Sequence, residues 1–258
     1  MHHPPKVAVI TPTGLASNRR RYLTDLYNSL CEQDITWEWI IAPNGRRADP
    51  DRIPAAIAAD PRVIICARPD PGAASARNTS LNYVTAPFVC YADDDDLLPP
   101  DSLSVRYHRA LDTGLGWVAG LSADLKKNGD LHTWDCATPV GPHDAGDVWT
   151  YWHSPQDGKP PLGHTMLLTR TEIARAYAGH GGLTKGEDYV YVMSITGNSA
   201  GEVLPEVVYH YRHHRGQWTK QPTYRDRAEY DARTFAYNQG AALRQLREQS
   251  PAAFADAA

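Results

Sequence analysis

The sequence is short of several things, and each shortage closes a class of function. It has no excess of positive charge: 26 Lys and Arg stand against 30 Asp and Glu, for a net charge of -4. That balance argues against a protein built to grip nucleic-acid phosphates. No run approaches the roughly 18 consecutive apolar residues that a membrane-spanning helix requires. The Met1–Lys6 start leads into Val-Ala-Val-Ile without the apolar stretch of a secretion signal, so a cytoplasmic location is expected. Cysteine is scarce, with four residues (Cys31, Cys66, Cys90, Cys136) and no Cys-x-x-Cys pair; these read as buried reduced thiols rather than as disulfides. A P-loop and a dinucleotide fingerprint are both missing. Gly114-Leu115-Gly116-Trp117-Val118-Ala119 matches G-x-G-x-x-A in form, but it precedes a hairpin signal and not a helix.

What remains is ordinary globular material, 42% hydrophobic and 22% charged over 258 residues, enough for one large domain or two small ones. The first hundred residues alternate strand and helix signals. Strands are expected at Lys6–Ile10, around Trp37–Ile41, at Val63–Ala67 and at Phe88–Ala92. Between them fall a helix capped by Asn18, a short Ala-rich helix over Asp51–Ala59, and a loop at Gly72 that enters a helix. This order predicts an α/β fold with a mostly parallel central sheet flanked by helices, its ligands at the carboxyl ends of the strands. Polar clusters fall at those ends: Thr11-Pro12-Thr13-Gly14, Pro43-Asn44-Gly45 and Asp93-Asp94-Asp95-Asp96.

The second half differs in character. A helix from Asp101 to Leu111 is closed by Gly114. Asn128-Gly129 marks a two-residue hairpin between Ala123–Lys126 and Asp130–Trp134. Residues 135–163 are rich in Pro, Gly, Asp, His and Trp and read as a long binding loop. A strand over His164–Thr169, a helix capped by Thr171, a helix over Glu187–Thr196 and a strand over Val203–Arg212 follow. Pro222 is expected to open an amphipathic helix to about Arg247, a candidate homodimer contact, ahead of an Ala-rich tail.

Several motifs carry chemistry, and each has a plainer reading beside it. Four adjacent carboxylates at a strand end repel one another unless a cation or solvent intervenes. They suit Mg2+ or Mn2+ shared with substrate phosphates, or else a solvated acidic turn before Pro99-Pro100. An EF-hand is excluded, since Leu97 falls at its position 5 and Ser104 where the bidentate Glu belongs. The small residues from Gly72 to Ala76 let a ligand approach the helix that carries Arg77; that arginine can serve a diphosphate or the acidic cluster. Glu187-Asp188 opens a helix, where acidic residues are common because they complement its dipole. His210–Thr219 gathers imidazoles, cations and a Trp, a zinc site or a flap over phosphates.

Taken together, VAVITPT, IIAPNG, the G-x-x-x-A-R-N run from Gly72, YADDDDLLPP, GEDY and YHYRHHRGQWT resemble, in order, the inverting family 2 type of GT-A nucleotide-sugar glycosyltransferase over roughly residues 6–219. The resemblance implies a donor-binding half (1–114), an acceptor-binding and catalytic half of the same GT-A domain (115–221), and a C-terminal helix with a short tail (222–258). It implies that Thr11, Pro12, Thr13, Asn44, Arg77, Asp93, Asp94 and His214 hold a nucleotide diphosphate-sugar, expected to be a UDP-sugar. Asn44 departs from the Asp usual at its place. It further implies that Asp95 binds Mn2+ or Mg2+, with the motif's register open by one, and that Asp188, with Glu187, is the catalytic base. A carboxylate within reach of an alcohol takes its proton as the new bond forms, and a cation with Arg and His donors stabilises the departing diphosphate. Trp134, Trp149, Trp152 and His153 are candidates to hold the acceptor, a small molecule or glycan, because aromatic faces pack on rings; the alternative is that these tryptophans form a small core of their own. Two other classes share some of these features: a nucleotide-sugar-forming nucleotidyltransferase, for which Thr11–Arg21 is a poor basic loop, and a non-catalytic carbohydrate- or metal-binding protein.

Overall fold

The computed structural model describes residues 3–16, 19–45, 48–66, 72–156, 160–177, 179–222 and 224–250. Asn18, Asp70 with Pro71, and the Ala-rich tail lie outside the described residues. In chain order the elements are β1 (Val7–Thr13), α1 (Arg20–Cys31), β2 (Trp37–Pro43), α2 (Ala55–Ala58), β3 (Val63–Ile65), α3 (Ala73–Ser80), β4 (Phe88–Tyr91) and α4 (Ser102–Thr113). There follow β5 (Trp117–Leu125), β6 (Leu131–Thr133), β7 (Gly141–His143), α5 (Asp147–Thr150), β8 (Leu167–Arg170), α6 (Thr171–Ala176), α7 (Glu187–Asn198), β9 (Gly201–Arg212) and α8 (Arg227–Gln249).

The strands form one nine-stranded sheet in the order β3-β2-β1-β4-β8-β5-β9-β7, with β6 pairing on β5. β3, β2, β1 and β4 run parallel. β8 is inserted antiparallel between β4 and β5, and β9 again runs parallel to β5. β1 shows why the sheet sits in the middle of the molecule. Val7 and Val9 pack on one face with Leu23, Leu26 and Leu30 of α1 and Leu103 of α4. Ala8 and Ile10 pack on the other with Ala76 of α3 and Tyr191 of α7. A strand covered on both faces reads as an unbroken apolar run, and VAVI is one.

Several boundaries differ from expectation. β1 extends through Thr13, so the Thr-Pro-Thr segment is strand and not loop. Residues 117–125 are a single strand, bent where Gly120 faces β9; a side chain there would meet Val208 Cγ1 at 2.5 Å. His164–Met166 is a 3-10 turn rather than the start of a strand. Thr171 lies inside α6 and donates its hydroxyl to Ala86 O, so it does not cap. α8 starts at Arg227, capped by the Asp226 side chain, which accepts from the Glu229 N–H. Cys31 is exposed, unlike buried Cys66 and Cys90. Among the described residues no helix is long and apolar enough to cross a membrane.

Residues 135–163 are not one open loop, since they contain β7 and α5. Trp149 and Trp152, expected to face an acceptor, instead join the core. The Trp149 indole N–H donates to Tyr237 O of α8, and Trp152 is buried against Tyr189 and Tyr237. The reason is α8, which packs on α7 and roofs both indoles. His153 is exposed and lines no described cavity near the strand ends. Trp152→Ala should therefore lower the unfolding free energy by about 3–5 kcal/mol, as expected for truncating a buried Trp. Urea denaturation checks this, and a loss under about 1 kcal/mol would place Trp152 outside the core.

Candidate active site

β4 delivers Asp93–Asp96 just beyond its carboxyl end, and each of the four carboxylates has a polar or cationic partner, Arg19 serving both Asp94 and Asp95. Asp93 receives Arg77 Nη2 at 2.9 Å. Asp94 accepts from Thr13 Oγ1 at 2.6 Å and from Arg19 Nη1 at 2.6 Å. Asp95 lies 2.7 Å from the same Arg19 nitrogen and 2.6 Å from His214 Nε2. Asp96, fully buried, accepts from Tyr209 Oη at 2.8 Å and from the Arg212 N–H at 2.7 Å. Burial pushes Asp94 up to about 6 against the pull of Arg19. Burial and the charges of Asp95 and Asp93 push Asp96 well above the usual carboxylate range. Asp93 goes the other way: burial alone would raise it, but Arg77 and its other cationic neighbours hold it below the ordinary value.

Arg77 stands on α3, whose small residues Ala73, Ala74 and Ala76 bring the helix close to β1 and β2. Its guanidinium is buried and bridges two elements, since Nη1 donates to Glu187 Oε1 at 2.7 Å while Nη2 holds Asp93. Glu187 and Asp188 open α7 directly after Gly186, which adopts φ of 68°. That left-handed conformation favours glycine, and a side chain there would also press on Ala232 Cβ at 2.8 Å.

Asp188 sits deep in the molecule but keeps 32% of its side chain open to the adjoining cavity. Burial first, then the negative charge of Glu187, raises its carboxyl to about 7, with Arg77 opposing. His164 Nδ1 lies 3.7 Å from Asp188 Oδ2. Burial and the Arg77 charge hold this imidazole down to about 3, so it is neutral near pH 7 and the contact is polar rather than ionic.

A cavity of about 680 Å³ runs along these groups, with Pro12, Asn44, Arg77 and Asp93 on one side and Glu187, Asp188 and His164 on the other. Trp134, Tyr211 and Trp218 supply aromatic walls. A cleft of about 750 Å³ lies at the opposite, amino-terminal end of the strands, by Ile35, Trp37 and Arg62, whereas ligands of such sheets bind at the carboxyl ends.

The sequence matches the profile of Glycosyl transferase family 2 over residues 9–155, more than half of the chain. The chain belongs to glycosyl transferase family 2. No curated protein matches the sequence. Among solved structures it is similar to S. aureus TarS 1-349, with a TM-score of 0.63 and 20% identity, covering 80% of this chain and 60% of that one. The same protein in complex with UDP-GlcNAc gives a TM-score of 0.64 and 19% identity over 82% of this chain and 60% of the other. Its complex with UDP gives 0.63 and 18% over 81% and 60%. The chain thus spans about 60% of the length of these structures, and what it shares with them is the GT-A-like architecture: a central sheet flanked by helices.

Of the residues singled out from sequence, Pro12, Asn44, Arg77, Asp93, Glu187, Asp188 and Trp134 line one cavity of this family 2 fold. Thr11 and Thr13 turn inward: the Trp39 indole donates to Thr11 Oγ1 at 2.9 Å, and Thr13 holds Asp94. Asp94, Asp95 and His214 form a linked group beside the cavity rather than on its wall. Arg19, His164 and Tyr209 were missed. The Arg19-Arg20-Arg21 run is a local hint of the first, whereas nothing near His164 or Tyr209 in sequence points to an aspartate some 24 or 113 residues away.

The charges around Asp188 give a signed expectation. Titration of its carboxyl by NMR should show a midpoint near pH 7, the proton leaving as pH rises through that value. Glu187→Gln removes a negative neighbour and should lower the midpoint, and Arg77→Gln removes a positive one and should raise it. A midpoint near 4, or shifts of opposite sign, would show that this electrostatic account of the site is incorrect.

Proposed function

We propose that the chain is a metal-dependent, inverting glycosyltransferase that moves a sugar from a UDP-sugar to a hydroxyl of a small acceptor. The observation that carries the reading is Asp188: a carboxylate raised to about 7 and open to the same cavity as Arg77 and Asp93. The complexes of S. aureus TarS with UDP and UDP-GlcNAc support a uridine nucleotide here. Pro12 and Asn44 are placed to meet the nucleoside, Asn44 being fixed by accepting the Gly72 N–H at 2.9 Å.

In this reading the ionised Asp188 accepts the proton of the acceptor hydroxyl. The hydroxyl oxygen bonds to the anomeric carbon from the face opposite the leaving group, and the bond from that carbon to the diphosphate oxygen breaks, its electron pair leaving with the diphosphate. One backside displacement inverts the anomeric centre. Glu187, tied to Arg77, sets the local charge, and neutral His164 orients the Asp188 carboxylate.

The donor set suits a hard divalent cation that completes its shell on phosphate oxygens and water. Asp95 and His214 would hold it, and since His214 Nε2 lies 2.6 Å and Arg19 Nη1 2.7 Å from Asp95 Oδ2, those contacts would have to open to admit the ion. Among the described residues no group of three or more such ligands converges, so substrate phosphates and water would have to supply the rest of the shell. Mn2+ or Mg2+ held there supplies positive charge for the departing diphosphate.

Asp188→Asn is close to isosteric and should cut turnover by roughly 10²–10⁴ while UDP affinity stays nearly constant. Product NMR should show the anomeric configuration opposite to the donor's. Retained configuration, or wild-type turnover by the Asn variant, would remove the mechanism. Separately, UDP binding followed by calorimetry should weaken on addition of EDTA, and Asp95→Asn should lose that dependence. Full activity in excess EDTA would sink the metal assignment. Release of UDP from a panel of UDP-sugars with Mn2+ separates a transferase from a nucleotidyltransferase, which forms monophosphate or pyrophosphate products, and from a binder, which forms neither.

A further inference from the structure

A second cavity, of about 460 Å³, opens beside the first. Trp134, Pro160 and Gly163 line both, and Gly163 directly precedes His164, the neighbour of Asp188. The two cavities form one recess with the candidate base near their junction. Their chemistry differs. The first sets Arg77 and Lys185 among the carboxylates of Asp93, Asp96, Glu187 and Asp188. The second is walled by Cys136, Ala137, Pro161, Leu162 and Met166, and its polar groups are Asp124, His132 and Asp135. Among the described residues no Lys or Arg lines it.

Trp134 divides the two and is held in one pose. Its indole N–H donates to Asp124 Oδ1 at 2.7 Å, and its ring meets Tyr211 edge-on at 5.6 Å. Even so, 37% of the residue stays exposed. Burial alone would raise Asp124, but hydrogen bonds from Lys126 and Trp134, with His213 close by, bring its carboxyl down to about 2. The clamp is therefore ionised throughout the neutral range. An aromatic face immobilised before binding costs little ordering entropy when a flat molecule packs on it.

We propose that this second cavity holds the non-reacting body of the acceptor, and that the acceptor is an uncharged alcohol or phenol on a flat apolar ring system rather than a phosphorylated one. The assignment rests on the glycosyl-transfer reading of the neighbouring cavity. Among the described residues, a phosphorylated acceptor entering here would meet two carboxylates and one imidazole, and the Lys126 ammonium beside them is already paired with Asp124 at 2.7 Å, so its charge would be desolvated with little compensation. A neutral ring loses nothing of that kind and gains apolar contact with Trp134, Leu162 and Met166. Its hydroxyl, directed past Gly163, then faces Asp188.

Cys136 provides a local reporter, with exposed Cys31 as the internal reference. Alkylation of each thiol in the full chain is followed by mass spectrometry with UDP and Mn2+ present, using 2-naphthol as the neutral probe and glycerol 3-phosphate as the phosphorylated one. At about four times its Kd, 2-naphthol should slow Cys136 alkylation about fivefold, because only unoccupied protein reacts, and should leave Cys31 unaffected. Glycerol 3-phosphate should protect neither. Ala137→Trp, at an exposed rim position, should abolish the protection without shifting the thermal unfolding midpoint, and Trp134→Ala should weaken it. Protection by glycerol 3-phosphate equal to that by 2-naphthol, or protection that survives Ala137→Trp, would overturn the assignment. UDP binding is measured by calorimetry on the same sample. Its absence would overturn the donor reading, whereas UDP binding with no protection by 2-naphthol would overturn the acceptor cavity alone.

Discussion

One buried guanidinium holds the site together. Arg77 reaches Asp93 with one nitrogen and Glu187 with the other, so it joins the end of β4 to the start of α7, elements more than 90 residues apart in the chain. Without it, Asp93, Glu187 and Asp188 would face one another with their main counter-charge removed. Removing one partner from a buried ion pair typically costs about 3–5 kcal/mol, because the remaining charge is left unpaired. The same cation sets the chemistry. It holds the Asp93 carboxyl down, limits the rise of Asp188 and keeps His164 neutral.

Around this bridge the acidic run becomes tolerable because each member has its own partner, with Arg19 shared between Asp94 and Asp95. Asp93 turns to α3, Asp94 to Thr13 and Arg19, Asp95 to Arg19 and His214, and Asp96 to Tyr209 and the backbone of Arg212. Each carboxylate anchors a different part of the molecule to the strand end. As a result β9 and the residues after it, including His214, are fastened to the same motif whose Asp93 and Asp96 line the cavity. A cation shared with substrate phosphates would enter a place already linked to the segment that adjoins it.

Charge is also distributed between the two cavities. Arg77 and Lys185 line the cavity that also carries Asp93, Asp96, Glu187 and Asp188, whereas among the described residues the apolar side beyond Trp134 is lined by two carboxylates and an imidazole without an Arg or Lys. Electrostatic sorting of this kind discriminates ligands by what it repels as much as by what it attracts.

The sequence alone determined the order of strands and helices in the first hundred residues, because periodicity and turn residues act over a few positions. It also determined which residues could do the chemistry: Asp93–Asp96, Arg77 and Glu187-Asp188 stand out by type and by their place at element ends. What it could not determine was which groups meet. Arg19 meets Asp94 only when β1 pairs with β4, Tyr209 meets Asp96 through the Leu97–His210 bridge, and His164 meets Asp188 where α7 packs on the turn before β8. The same holds for the tryptophans. Trp134, Trp149 and Trp152 are alike in sequence, but α8 covers the latter two and leaves Trp134 open, since burial is a property of what packs over a residue and not of the residue itself.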